Sequence, residues 1–439
     1  MMETLERLTA LFQTLGQQDY VGEPISQWAH ALQAGRAALA AGAKEEIILA
    51  ALLHDIGHLQ YQSDAKMGRF GVRDHERLGA YYLATLGFSA VVSELVGLHV
   101  AAKRYRVAKD ATYADMLSPA SQQTLAFQGG AMTPLECKRF ESSPYFAEAL
   151  QLRVFDEAAK VIQPTGAPLD QFGALVSDHL RAQHLDERQI SNYRAKGYAI
   201  LKRRLPLDAV ALLLEEMTPL STHNGPARWM TYFEKSVDGE SMPCRIEYLL
   251  DDAPRMNELL TGPSWLNLAS QCLGETAILF KEKVNFKLPG GQGFKAHQDA
   301  PAFDLFGQSE HVTIMLSLDA STRENGCLEV GEGSEPGLRL PQAEDLTLDT
   351  EVENDLTWQP KSTEIGDIMI FDGFLPHRSG VNHTDFPRRA VYATYAKASE
   401  GDFRESYFRQ KRAEFPPEQE RIPGVQYSGG VFNVGNPIR

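Results

Sequence analysis

At 439 residues the chain is too long for one ordinary hydrophobic core, so two domains are expected. Hydrophobic residues at 43% and charged residues at 23% are ordinary globular values, while a net charge of −15 argues against a nucleic-acid or anionic-membrane partner. No apolar run approaches the ~20 residues of a membrane span, and four scattered cysteines without a CxxC pair predict a reducing, cytoplasmic setting.

The opening METLERLTALFQTL (2–15) patterns as an amphipathic helix with acidic residues and no cleavage site, so it is not expected to be a signal peptide. Further helices are predicted at QWAHALQAGRAALAAG (27–42), KEEIILAALLHDIGHL (44–59) and HERLGAYYLATLG (75–87), where apolar residues recur at three and four. This helical texture continues to about 180. The polar segment 180–192 looks like a join, and LDAVALLLEEM (207–217) predicts a helix opening the second domain. Beyond about 225 come short β-rich runs at 277–288, 310–320, 366–373 and 388–398, separated by Gly, Pro and Asn. The predicted architecture is an all-α domain over 1–185 and a β-rich domain with flanking helices over 186–439.

Histidines in the helical half fall at His30, His54, His58, His75 and His99, with Asp55 and Asp156 among the carboxylates. Neighbours on a helix diverge by about 100°, so His54 and Asp55 do not share one face, yet both reach a metal lying between them. A carboxylate has two oxygens and can bridge two metals. A lone histidine in an apolar helix is usually a core residue with one satisfied nitrogen. Five of them, in settings such as WAHALQ, LLHDIGH and GLHVAAK, would need many separate buried partners without a metal. His58, four residues after His54, shares its face and is expected behind the ligands or facing substrate, not as a ligand.

The pattern His30, His54–Asp55, Asp156 resembles the HD superfamily, which is strong for metal binding and weak for reaction type. With His75 and His99, and with QDYVGEP (18–24), HVAAKRY (99–105) and LRVFDEAAK (152–160), residues 5–180 closely resemble mixed-valent di-iron HD oxygenases that cleave the C–P bond of 1-hydroxyalkylphosphonates. The resemblance implies two iron ions, Fe(II)/Fe(III), held by His30, His54, Asp55, His75, His99 and Asp156. It also implies a substrate chelated through its C1 hydroxyl and a phosphonate oxygen, with O2 at the other iron. Lys103 and Arg153 would meet the phosphonate, and Ser121 would add a hydrogen bond. Without the resemblance, solvated helix faces would be the plainer role for both cations. Tyr20 and Glu23 would act catalytically, Tyr20 holding an iron position until substrate displaces it and Glu23 as its partner; an ordinary packed Tyr and a helix-start Glu are the plain alternative.

In the β-rich half, GFKAHQDAPAF (293–303) holds His297 and Asp299, which strand alternation would place on one face. FLPHRSG (374–380) supplies His377, and two His plus one carboxylate leave three positions open on an octahedral Fe(II). Arg388, eleven residues on, suits the distal carboxylate of 2-oxoglutarate, with Ser379 and Asn285 as further cofactor contacts. Lys283, Asn285 and Lys287 alternate on one strand face, suited either to the cofactor or a phosphonate, or to solvent. With FKEKVNFKLPGGQGFKAHQD and STRENGCLEV, residues from 193 to the C-terminus resemble the phytanoyl-CoA dioxygenase family. That family implies a double-stranded β-helix (jelly-roll, cupin-like) using Fe(II), 2-oxoglutarate and O2. Where the family often reads PGSH, this chain reads GEGSEP (331–336), so substrate contacts of that segment are not carried over.

A hydroxylase that installs a C1 hydroxyl, fused to an oxygenase that needs it, implies two consecutive steps on a phosphonate. The implied substrate is 2-aminoethylphosphonate, yielding glycine and phosphate, with Glu23 meeting the ammonium. Methylphosphonate yielding formate is the alternative, and an HD phosphohydrolase fused to an unrelated hydroxylase is the second. The expected partner is this small molecule alone, with no nucleic acid and no membrane; the sequence sets no oligomeric state.

Overall fold

The computed structural model describes every residue except 1, 18–24, 62–63, 69, 163–169, 224, 237–238, 428, 436–437 and 439. Tyr20 and Glu23 therefore lie outside the described residues. The chain divides into two compact units, Met1–Gln183 and His184–Arg439. No helix among the described residues is long and apolar enough to cross a membrane.

The first unit is helical. The helix Glu45–Leu53 is buried from Ile47 to Leu53 and forms the centre of the core with Leu32, Leu83, Val92, Val96, Leu152 and Phe155. Around it pack Gln27–Ala40, Ala90–Lys109 and Phe146–Ala158. The alanine face of Gln27–Ala40 (Ala31, Ala34, Ala38) allows the close approach its sequence requires. Ser26 and Ser89 start their helices by accepting the backbone N–H of Ala29 and Val92.

One expected helix is two. The predicted 44–59 segment ends at Leu53 and restarts at Ile56, with Asp55 at φ −99°, ψ 10°, outside the helical region. A continuous helix would splay His54 and Asp55 by about 100°; the break rotates Asp55 back toward His54. Gly57, just after the break, is packed against the helix His75–Leu86. A Cβ placed there would lie 2.0 Å from the His75 carbonyl oxygen, so only glycine lets the two segments close.

The second unit is a double-stranded β-helix. Its strands are β1 (Tyr198–Leu201), β2 (Met230–Lys235), β3 (Ser241–Glu247), β4 (Ala277–Lys287), β5 (Phe294–His297), β6 (His311–Ser317), β7 (Leu328–Glu332), β8 (Thr357–Lys361), β9 (Ile368–Asp372), β10 (His377–Ser379) and β11 (Arg388–Lys397). They form a seven-stranded antiparallel sheet, β1-β9-β6-β11-β4-β3-β2, and a four-stranded one, β5-β10-β7-β8. Part of the inner face is apolar, with Met315, Leu328, Val330, Met369, Phe371 and Tyr392 in one cluster. The inward positions of β4, by contrast, read Lys281, Lys283, Asn285 and Lys287. The segment expected as a polar join is mostly helical: Glu187–Lys196 forms a helix because Asp186 and Gln189 close a capping box at its start.

The HxD segment also departs from expectation. His297 ends β5, but Asp299 sits at φ −74°, ψ −43°, before a 3₁₀ turn over Ala300–Phe306. Strand alternation therefore does not place Asp299; the chain turns to bring it back beside His297. Gln298 between them is fully buried. Its amide donates to the carbonyls of Leu338 (2.8 Å) and Phe374 (2.5 Å) and accepts the N–H of Leu340 (2.9 Å), tying this turn to the segment that leads into His377.

Gly57→Ala is expected to destabilise the first unit by about 1–3 kcal/mol, measured by denaturant unfolding followed by circular dichroism. Gly173→Ala, in a helix with only a distant side chain (3.9 Å) near its added methyl, should be neutral or stabilise by up to about 1 kcal/mol.

Candidate metal centres and their pockets

In the first unit six side chains from five segments converge. His30 comes from Gln27–Ala40, His54 and Asp55 from the helix break, His75 and His99 from the next two helices, and Asp156 from Phe146–Ala158. They form two groups, His30–His54–Asp156 and Asp55–His75–His99, each with its ligand atoms within 4.8 Å of one another. Asp55 joins them. Its Oδ2 lies 3.1 Å from His54 Nε2 and 3.5 Å from His30 Nε2, while its Oδ1 lies 3.4 Å from His75 Nε2 and 3.6 Å from His99 Nε2.

The hydrogen bonds fix which nitrogens are available. The Nδ1–H groups of His30, His54 and His99 donate to the carbonyls of Ala159, Ala51 and Val96, leaving each Nε2 for the centre. The Nε2 atoms of His30 and His54 then face each other at 3.1 Å. Two lone pairs do not hold that distance without positive charge between them. Against the pull of burial, Asp55 and Asp156 raise His54 to about 9. Burial and the neighbouring His75 push His99 down to about 3. Burial works to raise both carboxyls, yet His54 at Asp55, and Arg153 at Asp156, hold them well below the usual range. Asp55 Oδ2 and Asp156 Oδ1 are buried with no hydrogen-bond donor. Ionised carboxylates and inward Nε2 atoms at these distances fit a pair of cations.

A cavity beside this cluster is lined by Asp55, His58, His75, His99 and the predicted Lys103, Ser121 and Arg153. Lys103 is buried, donates to Thr124 Oγ1 (3.2 Å), and is lowered to about 7 by burial and by Arg153. Arg153 donates from Nη1 to Asp156 (2.5 Å) and from Nε to Glu157 (2.8 Å), while its Nη2 is buried and unpartnered. His58 is in neither ligand group. Its Nδ1 accepts the N–H of Val72 (3.0 Å), placing its proton on Nε2, and its ring stacks on His75 at 3.8 Å. Lys160, Thr124 and Gln128 also line the cavity and were missed from the sequence. Lys160 donates to Ser121 Oγ (2.9 Å). Thr124 stands one turn after Ser121 and Lys160 four residues after Asp156, a spacing that carried the signal.

In the second unit His297, Asp299 and His377 form the third group of ligand atoms within 4.8 Å. His297 and His377 are direct cross-strand partners, with ring centroids 4.3 Å apart, and their Nδ1–H groups donate to the carbonyls of Lys295 and Leu375. Burial and His377 lower His297 to about 3; burial raises Asp299, but His377, Lys283 and Lys281 carry it well below the usual range. Arg388, opposite Lys287 in the β4–β11 register, is buried with Nε and Nη1 unpartnered, and Asn285 Oδ1 is likewise buried without a donor. Ser379 accepts from Lys287 Nζ at 2.7 Å. A guanidinium buried without an anion is costly, so this end fits the carboxylate of a bound acid. Glu332, in the departing GEGSEP segment, pairs with Lys361 (3.0 Å).

Family models for the HD domain and for phytanoyl-CoA dioxygenase (PhyH) match residues 28–124 and 193–390. A 2-aminoethylphosphonate dioxygenase from an uncultured bacterium is 41% identical over 261 residues, covering 58% of this chain and 99% of the relative. The chain belongs to the phytanoyl-CoA dioxygenase and HD families. It is an oxidoreductase with a helical HD unit followed by a PhyH unit. Two proteins of Gimesia maris are also similar: a methylphosphonate hydroxylase, 37% identical over 53% of this chain and 88% of the relative, and a hydroxymethylphosphonate dioxygenase, 42% identical over 36% and 79%.

Because a ligand must shed its proton to bind metal, loading the metal-free HD unit should acidify the medium. At pH 7.5, below the value of about 9 for His54, anaerobic Fe(II) addition to weakly buffered protein is expected to release protons, read with an indicator dye. His54→Ala should release about one fewer per chain.

Proposed function

We propose that the chain is a bifunctional phosphonate-degrading oxygenase. Its PhyH unit hydroxylates C1 of an alkylphosphonate at the expense of 2-oxoglutarate and O2. Its HD unit cleaves the C–P bond of the 1-hydroxyphosphonate, giving phosphate and a carboxylate. The observation that carries this reading is Asp55, whose two oxygens turn to two separate histidine groups, in a chain that also holds a two-His, one-Asp set and an arginine with Nε and Nη1 buried without a partner among the described residues. Mononuclear hydrolysis needs no such bridge.

His30, His54 and Asp156 would hold one iron and Asp55, His75 and His99 the other. His297, Asp299 and His377 would hold the Fe(II) of the PhyH unit, with Arg388, Ser379 and Asn285 on 2-oxoglutarate. When bound, these groups supply the activation of dioxygen that no side chain provides. The chain's own residues do the rest. Lys103, Arg153 and Ser121 receive the phosphonate oxygens, orienting C1 toward the cluster. A dianion beside Lys103 favours its ammonium form, so substrate binding restores the charge that burial weakens. His58, its proton on Nε2, offers a hydrogen-bond donor in the same cavity.

The favoured substrate is 2-aminoethylphosphonate, with glycine as product. The relative of that name aligns over nearly its whole length. Methylphosphonate, giving formate, is the second reading, supported by the methylphosphonate hydroxylase match.

The test is anaerobic Fe(II) loading followed by 2-oxoglutarate, O2 and a panel of phosphonates. Phosphate release should require 2-oxoglutarate with the parent phosphonate but not with its 1-hydroxy form. Release from the 1-hydroxy compound without O2 would sink the oxygenase reading and favour hydrolysis. His75→Ala is expected to abolish C–P cleavage while sparing succinate formation, and Asp299→Ala to do the reverse; unimpaired cleavage in His75→Ala rules out the dinuclear assignment.

A further inference from the structure

The inward positions of β4 form a row of cations that the cofactor end does not use. Lys287 lies at the Arg388–Ser379 end, and four residues of strand separate it from Lys283, roughly 14 Å at about 3.4 Å per residue. The carboxyl carbons of 2-oxoglutarate are about 5 Å apart when extended. A molecule held at Arg388 therefore leaves Lys283 and Lys281 uncovered. Both lie on the ligand-set side of the sheet: Lys281 sits over Phe303 in the 3₁₀ turn that follows Asp299, and Tyr392, under Lys283, shares a cluster with Phe371, whose ring is 5.3 Å from that of His377.

Neither lysine has a carboxylate partner among the described residues. Lys281 is buried over the rings of Phe303 (4.3 Å) and Tyr407 (5.5 Å), and Lys283 is partly exposed over Tyr392 (5.3 Å). Glu247, opposite Lys283 in the β3–β4 register, is taken by Arg245 (2.6 Å) and Lys411 (2.5 Å). Glu282 turns to the opposite face and binds Arg404. Glu247, the cross-strand neighbour of Lys283, is thus already engaged, and Lys281 and Lys283 are left as cations that ask for an anion. Burial and repulsion from Lys283 pull Lys281 down to about 8, and burial and Arg245 pull Lys283 in the same direction.

Given the phosphonate substrate proposed above, we propose that Lys281 and Lys283 form the subsite that grips its dianionic head in the PhyH unit, with Arg245 steadied behind them by Glu247. Gripping the phosphorus oxygens next to the triad puts C1, one bond away, nearest the ligand set. A dianion matches the unpaired charge, and a monoanionic sulfonate would leave part of it uncovered.

The test uses the full Fe(II)-loaded chain and follows succinate formation against varied 2-aminoethylphosphonate and varied 2-oxoglutarate. Lys281→Met and Lys283→Met should each raise KM for the phosphonate at least about tenfold while KM for 2-oxoglutarate stays near wild type, and the Lys→Arg variants should recover much of the loss. In anaerobic calorimetry the double Met variant should bind one fewer phosphonate per chain than wild type. Unchanged phosphonate KM, or an equal rise in both KM values, would overturn the assignment. If Lys281→Met does not fold, Lys283→Met at the more open position carries the test. Wild type that fails to couple 2-oxoglutarate to any phosphonate overturns the function proposed above and this subsite with it. Wild type that couples them while the Met variants keep its KM overturns the subsite alone.

Discussion

The structure of the HD unit depends on one electrostatic constraint: buried Nε2 atoms and carboxylate oxygens brought together need positive charge among them. Asp55 is the pivot, because its two oxygens address two histidine groups at once. The local fold serves this placement. The helix breaks at His54–Asp55, Gly57 lets the broken end press against the backbone of His75, and backbone carbonyls orient three of the four imidazoles. A core packed around Glu45–Leu53 provides the stiffness that holds like-charged and lone-pair groups so close.

The PhyH unit meets the same constraint differently. There the sheet register does the positioning. Pairing His377 opposite His297 brings two imidazoles together, and pairing Arg388 opposite Lys287 brings two cations to one end of the inner face. Asp299 is supplied by a turn, held through the buried Gln298 amide. Both units hold buried guanidinium nitrogens without a partner among the described residues: Nη2 of Arg153 in one, Nε and Nη1 of Arg388 in the other. Folding alone gains nothing from such groups, which makes them informative about what binds.

Much of this was readable in the chain. The residues of the three groups that could hold a metal stood out because histidines and carboxylates cannot be buried in such numbers without partners, and the β-rich half announced itself by strand-length runs between turn residues. The misreadings were local and share a cause. The 44–59 helix looked continuous because its apolar spacing is continuous; what interrupts it is the demand of side chains that contact residues 20 to 100 positions away. Asp299 looked strand-borne for the same reason. Lys160 and Thr124 passed unnoticed although each stands one turn from a residue singled out, and nothing local distinguishes Gln128 from a solvated helix position.

The sequence by itself determined the two-part organisation and the residue types available to hold metal, because these follow from composition and periodicity, and its motifs carried the resemblance of each half to a family. Only the tertiary structure decided that Asp55 faces both histidine groups, that Nε and Nη1 of Arg388 are buried without a partner among the described residues, and that Lys281 and Lys283 share the inward face of β4. Those facts depend on which distant segments pack together, and a linear pattern carries the side chain without the surroundings that set its charge.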